Sequence, residues 1–238
     1  ILGCLLGDGC LTTSTPKIAS DDIFIIEEFK KRLDGFELKK DNTNNNYTIV
    51  DKNKDYSDCV SSKGKIYQQR NRNRLTTLIH SIKLNVKCDK KFIPESYKYS
   101  SIDDRMELVR GLMDTDGSIN TNGSIEFTNT CEQLVDDLIE VLRSLGITCK
   151  KIINDRSGQK MVLPQGTDFE RRSYFRVLIN TSQPIFKLPR KLNRIKTKPT
   201  QAEKYVSIVD ARYIDEYVDM QCISIDSEDH TYITKDYI

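Results

Sequence analysis

Two aspartates, Asp8 and Asp116, each stand before a glycine at the end of an apolar segment. The first segment reads Ile1-Leu2-Gly3-Cys4-Leu5-Leu6-Gly7-Asp8-Gly9, the second Val109-Arg110-Gly111-Leu112-Met113-Asp114-Thr115-Asp116-Gly117, and the acids are 108 residues apart. Read as helices, both segments put a carboxylate at a C-terminal end, where the backbone's partial negative charge disfavours it. If the two helices pair in parallel, the carboxylates converge, and that arrangement calls for a cation. Hard oxygen ligands point to Mg²⁺, with Mn²⁺ as the alternative; such an ion keeps waters and accepts phosphate partners. Two such sites can stabilise the attacking and leaving oxygens of a phosphodiester cleavage. A single Asp-Gly after a helix is ordinarily a cap and a turn; its repetition argues for chemistry. An EF-hand reading of Asp114–Ile119 fails. With Gly117 as the loop glycine, the first and twelfth ligand positions fall on Leu112 and Gly123, neither of which carries a carboxylate.

The elements that must position these acids are themselves duplicated. Arg32–Lys40 parallels Arg143–Lys151 at an offset of 111, so two matches recur in the same order. The three extra residues are expected in the hairpin turn around Asn120-Thr121-Asn122-Gly123. Each half predicts an apolar helix ending at Asp-Gly, short strands (Cys10–Lys17; Ser118–Asn120 and Ser124–Thr128), a second helix, more strands (Tyr47–Val50, Tyr174–Ile179) and, near Leu75–Leu84, a further helix. The second helices are Asp22–Leu33, with Ser20 or Asp21 as N-cap, and Cys131–Leu145, closed by Gly146. The polar run at 41–46 reads as a turn. Gly3 and Gly7 lie on one face of the first helix and Gly111 at the matching place of the second, where small residues let backbones approach. The fold class is α+β with antiparallel sheets. The expected units are 1–98 and 99–200, two halves about a pseudo-twofold axis, and 201–238, a β-rich tail.

Both nine-residue segments resemble the LAGLIDADG motif of homing endonucleases. Each keeps the motif's third-position glycine and closing Asp-Gly, and Asp114 fills the sixth position where the first copy has Leu6. The resemblance implies that Asp8 and Asp116 are the metal ligands, within two αββαββα halves whose saddle-shaped sheets straddle duplex DNA. Lys91-Phe92-Ile93-Pro94 is similar to the Lys-x-Ile-Pro of intein-type members, which implies that Lys91 acts on the attacking water or the phosphate. Its mate is expected to be Lys191, in Leu188-Pro189-Arg190-Lys191, with Lys196 as the rival. On the implied platform Arg70, Arg72 and Arg74 alternate as strand residues would, and such side chains read base edges in the major groove. The alternative is a polar loop leading into the helix near Leu75. Lys17, Lys150, Lys151, Arg171, Arg172 and Arg176 are candidates for phosphate contacts.

The last thirty or so residues alternate in part and read as a β-hairpin. They also look like the C-terminal splicing motif of inteins, which would give Cys222 and His230 splicing roles. The chain opens within a helix and lacks a terminal His-Asn, so it is expected to be a piece of a longer polypeptide that does not itself splice. With 37 Lys+Arg against 35 Asp+Glu, the balance does not announce a nucleic-acid partner, although a neutral total can hide a basic face. Seven cysteines without a C-x-x-C pair argue against a zinc site or a disulfide framework and for an intracellular, soluble setting. No apolar run approaches the ~18–20 residues needed to span a bilayer. The expected activity is metal-dependent double-strand DNA cleavage by a monomer at a long asymmetric site. A non-catalytic nucleic-acid-binding or maturase-like module and a fragment of a protein-splicing element remain as alternatives.

Overall fold

The structure is a computed structural model of residues 1–238. It describes all of them except 43–44, 54–55, 157, 163–167, 171, 197–209, 214, 218, 220–221, 229–231, 235–236 and 238, and the side chains of 67–68, 70, 161–162 and 168–170.

Helix α1 (Leu2–Asp8) is followed by strands β1 (Gly9–Cys10) and β2 (Lys17–Ala19), helix α2 (Ile23–Arg32) and strands β3 (Phe36–Lys40) and β4 (Asn46–Asp51). A separate hairpin, β5 (Tyr56–Val60) with β6 (Ile66–Arg70), then leads to α3 (Arg74–Ser81). After a 3₁₀ turn (Cys88–Lys90) and the short α4 (Glu95–Lys98), the plan begins again. Helix α5 (Ile102–Thr115) precedes β7 (Gly117–Ile119), β8 (Ile125–Asn129), α6 (Glu132–Ser144), β9 (Thr148–Asn154), the hairpin β10 (Lys160–Val162) with β11 (Asp168–Glu170), β12 (Tyr174–Asn180) and α7 (Pro189–Leu192). The two four-stranded sheets have the orders β1-β2-β4-β3 and β7-β8-β12-β9. These are the same order, antiparallel throughout, and the α+β expectation holds.

Local chemistry explains the element ends. The Asp22 side chain accepts from Phe24 N and caps α2, so the cap lies one or two residues beyond the expected Ser20 or Asp21. Ser101 caps α5 and Asn73 caps α3. Gly146, at φ +70°, closes α6 as its left-handed residue, as expected. Within α6, Leu134, Val135, Leu138, Val141 and Leu142 are buried, and one continuous apolar core draws on both halves.

The extra residues of the second copy fall elsewhere than expected. Gly9 pairs with Ile18 and Gly117 with Phe127, so the β7–β8 turn is only one residue longer than the β1–β2 connection. The other two lengthen the second helix: α2 ends at Arg32, while α6 passes the matching Arg143 by one residue, so their lengths are 10 and 13 residues. A hairpin turn must keep strand register, whereas a helix lengthens at its end without disturbing it. The Cys10–Lys17 segment is a bend between two short strands rather than a strand.

Residues 201–209 lie outside the described residues. Among the described residues after 209 none is helical or in a strand, so the expected hairpin is not seen there. Cys222 is exposed. His230 lies outside the described residues.

Candidate metal and nucleic-acid site

The glycines of α1 and α5 do what their spacing suggested. A Cβ on Gly3 would lie 2.2 Å from Leu108 O and 2.9 Å from Gly111 Cα. One on Gly7 would meet Thr115 Oγ1 at 2.0 Å. The helices therefore touch backbone to backbone, and only glycine fits at the crossing. Both end toward the same side, which brings their terminal acids together.

Asp116 is half-buried, and its carboxyl is pushed up to about 6. Burial is the main cause, and the negative charge of Asp8 adds to it; a hydrogen bond from Asn129 and the charges of Lys91 and Lys191 oppose the rise. Burial also raises the Asp8 carboxyl, with the same two lysines opposing. Two carboxylates that disfavour each other's ionisation are the situation a divalent cation relieves. The acids are not equivalent. Asn129 Nδ2 donates to Asp116 Oδ2 at 2.8 Å. Strand register puts Ser20 at the corresponding place in the first half, but Ser20 Oγ accepts from Asp22 N instead. No hydrogen bond reaches the Asp8 carboxylate from the described residues. An open cleft of about 250 Å³ beside Asp116 is lined by Gly7, Cys88, Lys91, Thr128, Asn129 and Thr130.

Lys91 and Lys191 are brought to matching places, 3% and 7% exposed. Lys91 Nζ donates to the carbonyls of Leu5 (3.2 Å), Leu6 (2.7 Å), Gly7 (3.0 Å) and Gly9 (2.9 Å). Lys191 Nζ donates to those of Met113 (2.9 Å), Asp114 (2.7 Å) and Gly117 (2.6 Å). Lys191 is thus the structural mate of Lys91. Lys196 instead lays its methylenes against Gly123. Lys91, expected at the attacking water or phosphate, has its ammonium turned to the carbonyls around Asp8 and lies within reach of the charges of both acids.

The sixth motif position also separates the copies. Leu6 is fully buried. Asp114, equally inward, accepts from Lys187 N and Leu188 N at 3.1 Å and so holds the chain entering α7.

The sheets' outer faces carry some of the expected basic residues and withhold others. β6 ends at Arg70, whose side chain lies outside the described residues; Arg72 is exposed in the loop that follows. Arg74 is the first residue of α3. Its Nε and Nη2 bind Asp51 at 2.9 and 3.0 Å, and its guanidinium lies 5.0 Å from the centre of the Phe36 ring. The three arginines therefore do not form one strand face: 71–73 are a polar loop leading into α3, whose first residue is Arg74. Lys151 faces α6, where Nζ pairs with Glu132 (2.8 Å) and Asp136 (2.6 Å); it is on the helix side of its sheet. Lys150, one residue earlier, is on the opposite, open face and exposed. Arg176 is on that open face but is held by both carboxylate oxygens of Glu126. Lys17 lies on the outer face of the first sheet, paired with Asp41 at 3.0 Å. Arg172 is exposed, and Arg171 lies outside the described residues.

Asn129 and Asp137 were missed in the sequence. Nothing in a strand's own residues says that Asn129 meets an acid 13 positions earlier. Asp137 did leave a signal: it is a carboxylate set among the apolar positions of α6, and it is buried. It accepts from Ile93 N (2.8 Å) and Lys98 Nζ (2.9 Å).

Residues 103–219 match the family described as LAGLIDADG-like domain. That segment carries the second motif copy and its sheet. The chain is also similar to the replicative DNA helicase DnaB of Mycobacterium intracellulare, at 30% identity over 146 residues, 60% of this chain and 24% of the relative. The chain thus spans about a quarter of the length of that curated relative. Among solved structures, a set on mesophilic variants of the homing endonuclease I-DmoI is similar over 81% of this chain and 89% of its own, at 11% identity and a TM-score of 0.40. I-DmoI in complex with DNA and Ca is similar over 81% and 92%, at 11% identity and a TM-score of 0.43. Among the described residues no helix is long and apolar enough to cross a membrane, and no group of three or more His, Cys, Asp or Glu forms a ligand cage.

Proposed function

We propose that this chain is a site-specific, divalent-metal-dependent double-strand DNA endonuclease of the homing type. The observation that carries this reading is the pairing of Asp8 and Asp116 at the ends of two helices in glycine contact, in a chain whose second half matches a LAGLIDADG-like domain. A site with two carboxylates and no larger cage suits Mg²⁺ or Mn²⁺, which retain waters and take phosphate oxygens as further ligands. Asp8 and Asp116 would hold the metal, which when bound polarises the phosphate and lowers the pKa of water.

The protein's own part is to hold the two acids in register, ionised and partly withdrawn from solvent, and to lay the duplex over the sheets. Lys150, Arg172, Lys17 and Arg72 are free enough of burial to meet phosphates, which position the duplex without reading it. The two halves differ in their acids and inserted hairpins, which supports a long asymmetric target bound by a monomer. We further propose 1–98 and 99–200 as the two halves and 201–238 as an intein-derived tail. The partial overlap with a helicase-named relative is consistent with an inserted element.

The test is selection of a cleavable site from a randomised DNA library in Mg²⁺, followed by cleavage with the Asp8→Asn and Asp116→Asn variants. Loss of cutting in both supports the reading. Binding without cleavage by the native protein in Mg²⁺ and Mn²⁺ favours a non-catalytic nucleic-acid-binding module instead.

A further inference from the structure

We propose that Lys91 and Lys191 are positioning residues that fix the two acids through the backbone on either side of them, and that each lysine is held by a different buried carboxylate, Asp137 for Lys91 and Asp114 for Lys191. This inference rests on the metal-site reading of Asp8 and Asp116.

An ammonium group has three N–H donors and no acceptor. Lys91 Nζ stands within 3.2 Å of four carbonyl oxygens and Lys191 Nζ within 2.9 Å of three. Both are buried, so their donors are committed to the protein. Most of the carbonyls they reach lie in the last turn of a motif helix, where several lack intrahelical partners, and Gly9 O and Gly117 O open the strands that follow. A cation there also meets the negative end of the helix dipole. The arrangement around the acid is the telling part. Lys91 binds Leu6 O and Gly7 O before Asp8 and Gly9 O after it. Lys191 binds Met113 O and Asp114 O before Asp116 and Gly117 O after it. Each ammonium brackets one aspartate, so the Cα of the acid cannot move without breaking bonds on one side or the other.

What holds each lysine differs, and this explains the sixth motif position. Asp114 receives Lys187 N and Leu188 N, tying the arm that bears Lys191 to α5 of its own half. Leu6 cannot do this for the first half. There the arm leans across the molecule. Cys131 Sγ donates to Lys91 O at 3.1 Å, and Asp137 of α6 accepts from Ile93 N. The position of Asp8 is therefore set partly by the second half.

The experiment measures Mn²⁺ binding to the purified chain by calorimetry, the pH profile of cleavage at saturating Mn²⁺, and amide hydrogen exchange over residues 5–10 and 113–118. Lys91→Met is expected to weaken Mn²⁺ binding about 10- to 100-fold, the range typical of lost support around metal ligands, to speed exchange at 5–10, and to leave the shape of the pH profile unchanged. Asp137→Asn should do the same in milder form, and Asp114→Asn should speed exchange at 113–118 instead. If Lys91→Met does not fold, the two aspartate variants decide, since they leave both lysines in place. The proposal is overturned if Lys91→Met binds Mn²⁺ as the native chain does yet loses cleavage or one limb of the pH profile, because the lysine would then act on the DNA. It is also overturned if Asp137→Asn leaves exchange at 5–10 untouched. If the native chain neither binds Mn²⁺ nor cuts DNA, the metal-site reading fails, and the exchange data still report whether the lysines bracket the helix ends.

Discussion

The two halves share a sheet order and a motif helix, yet they treat their acids differently. Asp116 receives a hydrogen bond from Asn129, and the arm carrying its lysine is held within its own half by Asp114. Asp8 receives no such bond from the described residues, Leu6 stands where Asp114 would, and the arm carrying Lys91 is anchored on the opposite half. The inserted hairpins also differ. In the first half β5–β6 follows β4, which runs outward from the acids, so that hairpin lies beyond the outer end of the sheet. In the second, β10–β11 joins β9 to β12 where Phe175 pairs with Asn129, at the inner end near the acids. Duplication preserved what closes the core and let the surroundings of each acid diverge.

The hardest test of this comparison is to remove one acid at a time. Asp8→Asn and Asp116→Asn should each lower double-strand cleavage by at least about 1,000-fold, as expected when several kcal/mol of metal-borne charge stabilisation is lost. Strand-specific end labels will show whether the residual nicks differ between the variants. Equal cutting by either variant and the native chain would sink the pairing of the acids as metal ligands.

Next comes the helix crossing that both halves share. Gly3→Ala forces a Cβ against backbone, and overpacking of that kind costs about 3 kcal/mol. Thermal melting should fall by roughly 6–12 °C for a chain of this size. Gly7→Ala meets the Thr115 side chain, Oγ1 at 2.0 Å and Cβ at 2.7 Å, so Thr115→Gly should relieve it while leaving Gly3→Ala unrescued.

The pH response separates the two acids more finely. Asp116 has a folded-state value near 6, above its unfolded value of 3.8. A raised carboxyl means that ionisation costs folding energy, so the metal-free protein should lose stability as pH rises from about 4 to 6. Metal binding needs the carboxylate and should weaken about tenfold per unit below pH 6. Because Asp8 contributes to the rise, Asp8→Asn should move the Asp116 value downward in a carboxyl NMR titration; an unmoved value would separate the acids.

The smallest effect concerns a residue that looked functional. Arg74→Ala should cost about 1–2 kcal/mol of stability, because the buried Asp51 carboxylate loses the guanidinium and keeps backbone donors such as Asn53 N, while Arg74 itself is half exposed. DNA affinity should be unchanged. A large loss of affinity without a loss of stability would return Arg74 to the DNA surface.

Much of this was legible in the residues. The repeated Gly-x₃-Gly-Asp-Gly and Gly-x₃-Thr-Asp-Gly endings state a helix contact and a terminal acid, because both depend on local backbone geometry and on small side chains. The α6 stripe and the Gly146 cap were equally local. The basic candidates were legible only as a list. Strand alternation says that Lys150 and Lys151 face opposite ways, but not which face meets α6. The run from Arg70 to Arg74 looks periodic although Asn73 starts a helix within it. For the acids, sequence alone determined that two of them would sit at the ends of paired helices. The tertiary structure decided that Asn129 would hold one and not the other, that the lysines would bind carbonyls, and that Asp137 would steady the far half. Those outcomes depend on groups 13 to 86 residues apart meeting across strands and between halves, and such separations leave no periodic trace in a chain.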